Sequence, residues 1–197
     1  MKKTLSRLTF ARALTGAALV ALMATAPAGQ SQASDPLPLN LGGAYALTDH
    51  TGARRTQADP AARAQLLFFG YANCQEICSA ALPLMGQAVE DLAAQGLAVT
   101  PVMITVDPAR DTVAAMGPKL RLHHPDFIGL TGDPAQLKAA YDAFQIDIEE
   151  VFFDPEFGPV YAHGSFLYLL DGDGRFLTLI PPILAPKEVA RIVAGYL

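Results

Sequence analysis

The sequence predicts an α/β domain built on a central mixed β-sheet flanked by helices. Three observations carry this expectation. Two continuous apolar runs, Gln65 to Tyr71 and Ala98 to Val106, have the composition of strands buried on both faces, as in a parallel sheet. Strand-like runs alternate with stretches of helical apolar period, which implies crossover connections. Near the C-terminus, Asp171-Gly172-Asp173-Gly174 separates two more strand-like runs, a strong hairpin signal that adds antiparallel strands to the sheet.

At 197 residues and 51% hydrophobic composition, the chain is long enough for one full core and short for two. Residues 1–33 are set aside as a signal peptide and its cleavage region. Lys2, Lys3, Arg7 and Arg12 form a basic start, Ala13 to Ala24 is apolar, small residues follow, and no acid precedes Asp35, the pattern of an export signal. Ala26-Pro27-Ala28 and Ser31-Gln32-Ala33 both offer small residues where signal peptidase reads, so the mature chain is expected to begin at Gly29 or Ser34. The protein is therefore expected outside the cytoplasm, in the periplasm or an equivalent compartment. An uncleaved leader acting as a tether is the alternative, but the apolar run is shorter than the roughly 20 residues that span a bilayer and contains Thr15 and Gly16.

Cleavage removes four positive charges and no negative ones, moving the formal charge from −5 to −9. Such acidity argues against nucleic acid or an anionic membrane as partner, and suits a basic partner or a cation.

Residues 34–40 read as a flexible lead-in and 41–197 as the folded domain. Tyr45 to Asp49 alternates weakly before the Gly52 turn, predicting a short strand or hairpin. The buried strand Gln65 to Tyr71 runs directly into the two cysteines. From Glu76 to Ala94 apolar residues recur at helical spacing, and Gly96 supplies the stop. Ala98 to Val106 is a second buried strand, ended by Pro108. Asp111-Thr112 caps a helix to about Leu122, with a kink or break expected at Gly117-Pro118. Phe127 to Leu130 is a short strand, and Asp133-Pro134 opens a helix through Phe144. The Pro- and Gly-containing segment from Asp154 to Tyr161 reads as an irregular loop. Strands Ser165 to Leu170 and Arg175 to Ile180 flank the hairpin turn, and Pro186 to Tyr196 closes the domain as a helix.

Cys74-Gln75-Glu76-Ile77-Cys78 lies at a strand-to-helix junction, where ligands bind in open α/β sheets and where a helix N-terminus favours thiolate. Helical positions four apart have Cβ atoms about 5–6 Å apart, whereas a relaxed disulfide needs about 3.5–4.5 Å. A metal ion bridging the sulfurs tolerates the wider gap, and paired thiolates favour Cu(I). The pair alone leaves structural disulfide, redox dithiol and metal site equally open.

A third donor must decide, and there are four histidines. His50 falls in a polar turn, and His123-His124 precedes Pro125 at a helix end, where imidazole can meet terminal carbonyls. His163 differs. It follows the irregular segment and directly precedes a strand, so in this sheet order it can return to the edge where the cysteines emerge, and imidazole suits Cu(II).

These motifs together resemble the SCO/SenC family of copper-binding, thioredoxin-like assembly factors for cytochrome c oxidase. The likeness extends from about Tyr45 to the C-terminus: Leu47-Thr48-Asp49 with Gly52, Leu67 to Tyr71 leading to cysteines at CxxxC spacing, Val106 to Thr112, Leu130-Thr131-Gly132, and His163 before Tyr168 to Asp171 and Gly174-Arg175-Phe176. The resemblance implies a thioredoxin-like fold and makes Cys74, Cys78 and His163 the ligands of one copper ion, as Cu(I), Cu(II) or both. Within Val106 to Thr112, Asp107 is expected to fix the turn after the strand and Arg110 to pair with a carboxylate near the site. Gln75 and Ser79 stand where the family usually has proline after each cysteine, and Ala162 stands where it usually has aspartate before the histidine. A metal-bound imidazole is commonly oriented by a carboxylate, which leaves a backbone carbonyl or another acid such as Asp154 for that role.

The function so implied is that of a metallochaperone, not an enzyme: a monomer that takes copper from a donor protein and passes it to the copper centre of an oxidase subunit. The alternative is a thiol-disulfide oxidoreductase that reduces the target's cysteines before metallation, with Cys74 and Cys78 as the redox-active pair. A peroxidase or redox sensor of the same fold, with Cys74 oxidised and Cys78 resolving, is a third possibility. The Asp171 to Gly174 turn has a passing likeness to a calcium loop but lacks the downstream acid. Glu149-Glu150 and Phe152-Phe153 read as a solvated turn and a core contact, or else as a partner surface.

Overall fold

The computed structural model describes residues 34–72 and 77–197, all within one compact unit, Ser31–Leu197. For residues 77–79 the description covers the backbone only. The signal-peptide region, residues 1–33, and Cys74 lie outside the described residues.

A seven-stranded sheet forms the centre, with strands β1 (Ala46–Asp49), β2 (Arg54–Thr56), β3 (Ala64–Gly70), β4 (Val99–Thr105), β5 (Ile128–Thr131), β8 (Leu167–Leu170) and β9 (Phe176–Ile180) in the order β2-β1-β5-β4-β3-β8-β9. Strands β3, β4 and β5 are parallel, and β1, β8 and β9 add antiparallel pairings. Every residue of β3 and β4 is buried, which explains their largely apolar composition. Helices α1 (Ile77–Ala93), α2 (Val113–Leu120), α3 (Pro134–Phe144) and α4 (Pro186–Ala194) supply the flanking layers, so the fold is thioredoxin-like.

Local chemistry sets the element ends. Gly52 and Gly96 take φ of +88° and +79° at the β1–β2 turn and beyond α1, values that favour glycine. Asp133 and Gln136 form a reciprocal capping box at the start of α3, with Pro134 at its first position. In α2 the Thr112 side chain accepts the Ala115 N–H at 3.3 Å. Contrary to expectation, α2 runs unbroken through Gly117-Pro118 and stops at Leu120. The carbonyl that loses its donor to Pro118 is that of Ala114, and both residues are exposed, which leaves this turn of the helix open to solvent.

The expected loop from Asp154 to Tyr161 is instead half of a separate two-stranded ribbon. Strand β6 (Ile148–Asp154) pairs antiparallel with β7 (Gly158–His163), from Ile148 opposite His163 to Asp154 opposite Gly158, with an irregularity between Glu150 and Phe152. Asp154 closes the turn by accepting the N–H groups of Glu156 and Phe157, each at 2.8 Å. Pro159, which reads as a loop signal, is tolerated because both strands of a two-stranded ribbon are edges. Glu149-Glu150 therefore belong to a strand and not a turn, and Phe152-Phe153 are exposed and not core contacts.

Candidate metal centre

The candidate site sits at the C-terminal ends of β3 and β4, where Gly70 pairs with Thr105 and both chains leave the sheet on the same edge. Beyond β3 come Tyr71 and Ala72, and then the segment that holds Cys74. The backbone of Cys78 lies in the first turn of α1; its side chain lies outside the described residues.

His163 ends β7 and is carried back to this edge. Its ring packs edge-on against Phe68, with centroids 5.9 Å apart, and against Tyr71 at 6.2 Å. The third sequence-predicted residue thus touches the strand and the residue that lead into the cysteine segment. Nδ1 of His163 lies 2.9 Å from the carbonyl oxygen of Gly164. With Nδ1 carrying the proton, that carbonyl accepts it and the ring's lone pair sits on Nε2, the outer-sphere arrangement that orients many metal-bound imidazoles. A backbone carbonyl, that of Gly164, thus stands beside the ring where Ala162 offers no carboxylate. Asp154, the other candidate, is engaged with the amides of the β6–β7 turn.

Residues 106–112 bind this edge together. Arg110 forms an ion pair through Nε with the buried carboxylate of Asp107 and hydrogen bonds to the carbonyls of Phe157 and Pro159, the latter at 2.8 Å. The guanidinium also stands 5.4 Å from the centre of the Tyr71 ring, within cation–π range. Tyr71 in turn packs edge-on against Tyr161 at 5.6 Å. Arg110 pairs with a carboxylate as expected, and in addition clamps the ribbon that carries His163.

Asp111 contributes something the sequence did not signal. Its side chain is fully buried; Oδ2 accepts the Ala72 N–H and the Thr105 hydroxyl, both at 2.9 Å. The Thr105 oxygen itself accepts the Asp107 N–H at 2.9 Å. Burial pushes the Asp111 carboxyl above the ordinary aspartate value, against the two hydrogen bonds that lower it. Asp111 thus joins the α2 entry to the cysteine segment and does not cap the helix, a role taken by Thr112 alone.

The other histidines stand apart from this edge. His50 accepts the Gly129 N–H through Nδ1 at 3.2 Å, and burial lowers its pKa despite the nearby Asp49 charge. His124 is buried; its Nδ1 accepts the Asp126 N–H at 3.1 Å and its Nε2 lies 3.2 Å from a Glu90 carboxylate oxygen, so it does not meet the helix-end carbonyls as expected. Burial also lowers the pKa of His123. Among the described residues, no group of three or more His, Cys, Asp or Glu side chains is arranged to hold a metal ion.

Comparison with known proteins agrees with this architecture. The model of the SCO1/SenC family matches residues 33–197. A SCO2-like protein of Rickettsia felis is 34% identical over 159 residues, covering 80% of this chain and 77% of the relative. The copper-bound ScoI of Bradyrhizobium japonicum superposes with a TM-score of 0.70 at 30% identity, covering 80% of this chain and 99% of the other. The copper-bound ScoI of Arabidopsis thaliana gives a TM-score of 0.74 at 25% identity, covering 79% and 97%. A match that spans the whole described domain, joined to relatives of this similarity, means that the chain belongs to the SCO1/SenC family.

Proposed function

We propose that the protein is a copper metallochaperone of cytochrome c oxidase assembly, holding one copper ion through the sulfurs of Cys74 and Cys78 and Nε2 of His163. Its cargo comes from a donor protein and goes to the copper centre of an oxidase subunit. The observation that carries this reading is the seat of His163 against Tyr71 and Phe68, at the end of the strand that runs into the cysteine pair. The copper-bound state of similar proteins supports the choice of metal.

Two thiolates and one imidazole form a soft, low-coordinate donor set that suits Cu(I) and, with the nitrogen, accepts Cu(II). Delivery as Cu(I) is a ligand exchange: each thiolate of the target replaces a thiolate or imidazole donor of this chain, and no electron changes hands. In this reading the Nδ1–H donates to the Gly164 carbonyl, which leaves the Nε2 lone pair for the metal. The protein acts outside the cytoplasm after cleavage of residues 1–28 or 1–33, as the basic, apolar and small-residue pattern of its first 33 residues suggests.

The test is an anaerobic Cu(I) titration of the reduced mature chain, beside its Cys74→Ser and Cys78→Ser variants. One copper per parent monomer and most of the affinity lost in each variant are expected, because a hydroxyl is a poor donor to Cu(I). Undiminished binding in the double variant overturns the assignment. Rapid disulfide reduction by a chain that takes up no copper supports the oxidoreductase alternative.

A further inference from the structure

The β6–β7 ribbon leaves four large apolar side chains in the open within seven residues: Val151 is 59% exposed, Phe152 53%, Phe153 67% and Phe157 43%. Soluble proteins seldom leave this much large apolar side chain uncovered in so short a segment unless a partner covers it. The ribbon is not part of the central sheet. One face, carrying Tyr161 and His163, packs on Tyr71 and Phe68. Val160, adjacent to Tyr161, alternates to the opposite face with its pairing partner Phe152.

The ribbon segment's own charged residues are all acidic. Asp147, Glu149, Glu150, Asp154 and Glu156 border it, and no lysine or arginine occurs in the sequence between Lys138 and Arg175. Arg110 reaches the ribbon from beneath, with its charge already paired to Asp107. An anionic lipid surface or a nucleic acid would be repelled. A second copy meeting the patch through two-fold symmetry would set these acids against one another.

One member of this cluster also shares a ribbon face with His163. Phe153 pairs with Pro159, on the face that carries Tyr161 and His163, and His163 is four residues further along the same strand, a distance of about 13 Å. We propose that the β6–β7 ribbon is the docking surface for the copper-exchange partner, and that this partner presents an apolar patch bordered by lysine and arginine side chains. The aromatic side chains supply the buried centre of the contact, the acids steer the encounter, and the ribbon's own strand delivers the partner's donor atoms to the side of His163. This inference rests on the metallochaperone reading for the nature of the partner.

The test uses the mature chain and, as probe, the soluble copper-binding domain of the oxidase subunit from the same organism. Calorimetric affinity is measured at low and high salt, with and without Cu(I), for the parent, a Phe152→Ser/Phe153→Ser variant and a Glu149→Lys/Glu156→Lys variant. Both variants should keep the parent's circular dichroism and copper stoichiometry while binding the probe at least about tenfold more weakly; charge reversal should also abolish the salt dependence. Parent-like affinity in both variants, or no binding by the parent, overturns the proposal. Loss of self-association by the Phe variant in sedimentation, or loss of binding to phosphatidylcholine vesicles, reassigns the patch to a second copy or a membrane and equally overturns it. Failure of the parent to take up Cu(I) refutes the metallochaperone reading separately, because the affinity of the copper-free chain still decides the surface.

Discussion

Asp111 accepts the backbone N–H of Ala72 at 2.9 Å, two residues ahead of Cys74, and so ties the entry of α2 to the segment that carries the first cysteine. The same oxygen takes the Thr105 hydroxyl. Asp111→Ala should lower stability by about 1–3 kcal/mol, since a half-buried amide donor and a buried hydroxyl lose their acceptor. Asp111→Asn keeps an acceptor and should recover most of this loss. Urea denaturation of the three proteins checks the order, and equal midpoints for the alanine and parent chains would show that the anchor contributes nothing.

Arg110 is the clamp on the ribbon, and its loss should be felt both in stability and at His163. Arg110→Ala strips the partner from the buried Asp107 carboxylate and frees the Phe157 and Pro159 carbonyls, at a cost of about 2–4 kcal/mol. Lysine should not rescue it, because a single ammonium lacks the planar fork that serves several acceptors at once. Gly158 offers an independent probe. It takes φ of +81°, and a Cβ there would meet the Arg110 guanidinium at 2.6 Å, so Gly158→Ala should displace the same clamp. Amide hydrogen exchange across 148–163 should quicken in both variants and stay slow in β3 and β4.

Acid sensitivity should centre on Asp49. Its burial raises the pKa, but hydrogen bonds from the Thr51 hydroxyl, the Arg55 guanidinium and the Thr51 and Ala53 amides outweigh that effect and hold it at about 2 against an ordinary 3.8. A depressed carboxyl contributes stability that is complete above its unfolded value and disappears as pH falls through the folded one. Roughly 2 kcal/mol should therefore vanish between about pH 4 and pH 2. Asp49→Asn should be less stable than the parent at neutral pH, and the gap should close on acidification through this window. A constant gap from pH 7 to pH 2 would contradict the assignment.

His163→Ala should separate the two copper oxidation states. Two thiolates suffice for low-coordinate Cu(I), whereas Cu(II) prefers added nitrogen donors, so Cu(II) affinity should fall by at least about tenfold more than Cu(I) affinity. Nitrogen hyperfine coupling and the thiolate-to-Cu(II) absorption should change in a variant whose circular dichroism is unaltered. Identical spectra and affinities would make His163 a packing residue against Phe68 and Tyr71.

The order of the central elements was legible in the sequence because burial on both faces leaves a local record. Gln65 to Tyr71 and Ala98 to Val106 are predominantly apolar, and β3 and β4 form there, side by side and buried. Asp133-Pro134 announced α3, since capping is settled within three residues. The ribbon was not legible. Its apolar side chains face outward, its prolines punctuate like a loop, and its pairing owes nothing to the main sheet. The family motifs identified Cys74, Cys78 and His163 as the residues to consider, and they suggested that Arg110 meets a carboxylate. That Arg110 also holds the Pro159 carbonyl 49 residues away, that Asp111 holds Ala72 across 39 residues, and that His163 packs on Phe68 and Tyr71 was decided by the tertiary structure. Periodicity and caps are written by neighbours in the chain, whereas these contacts exist only when the sheet brings the ends of β3 and β4 and the returning ribbon to one edge.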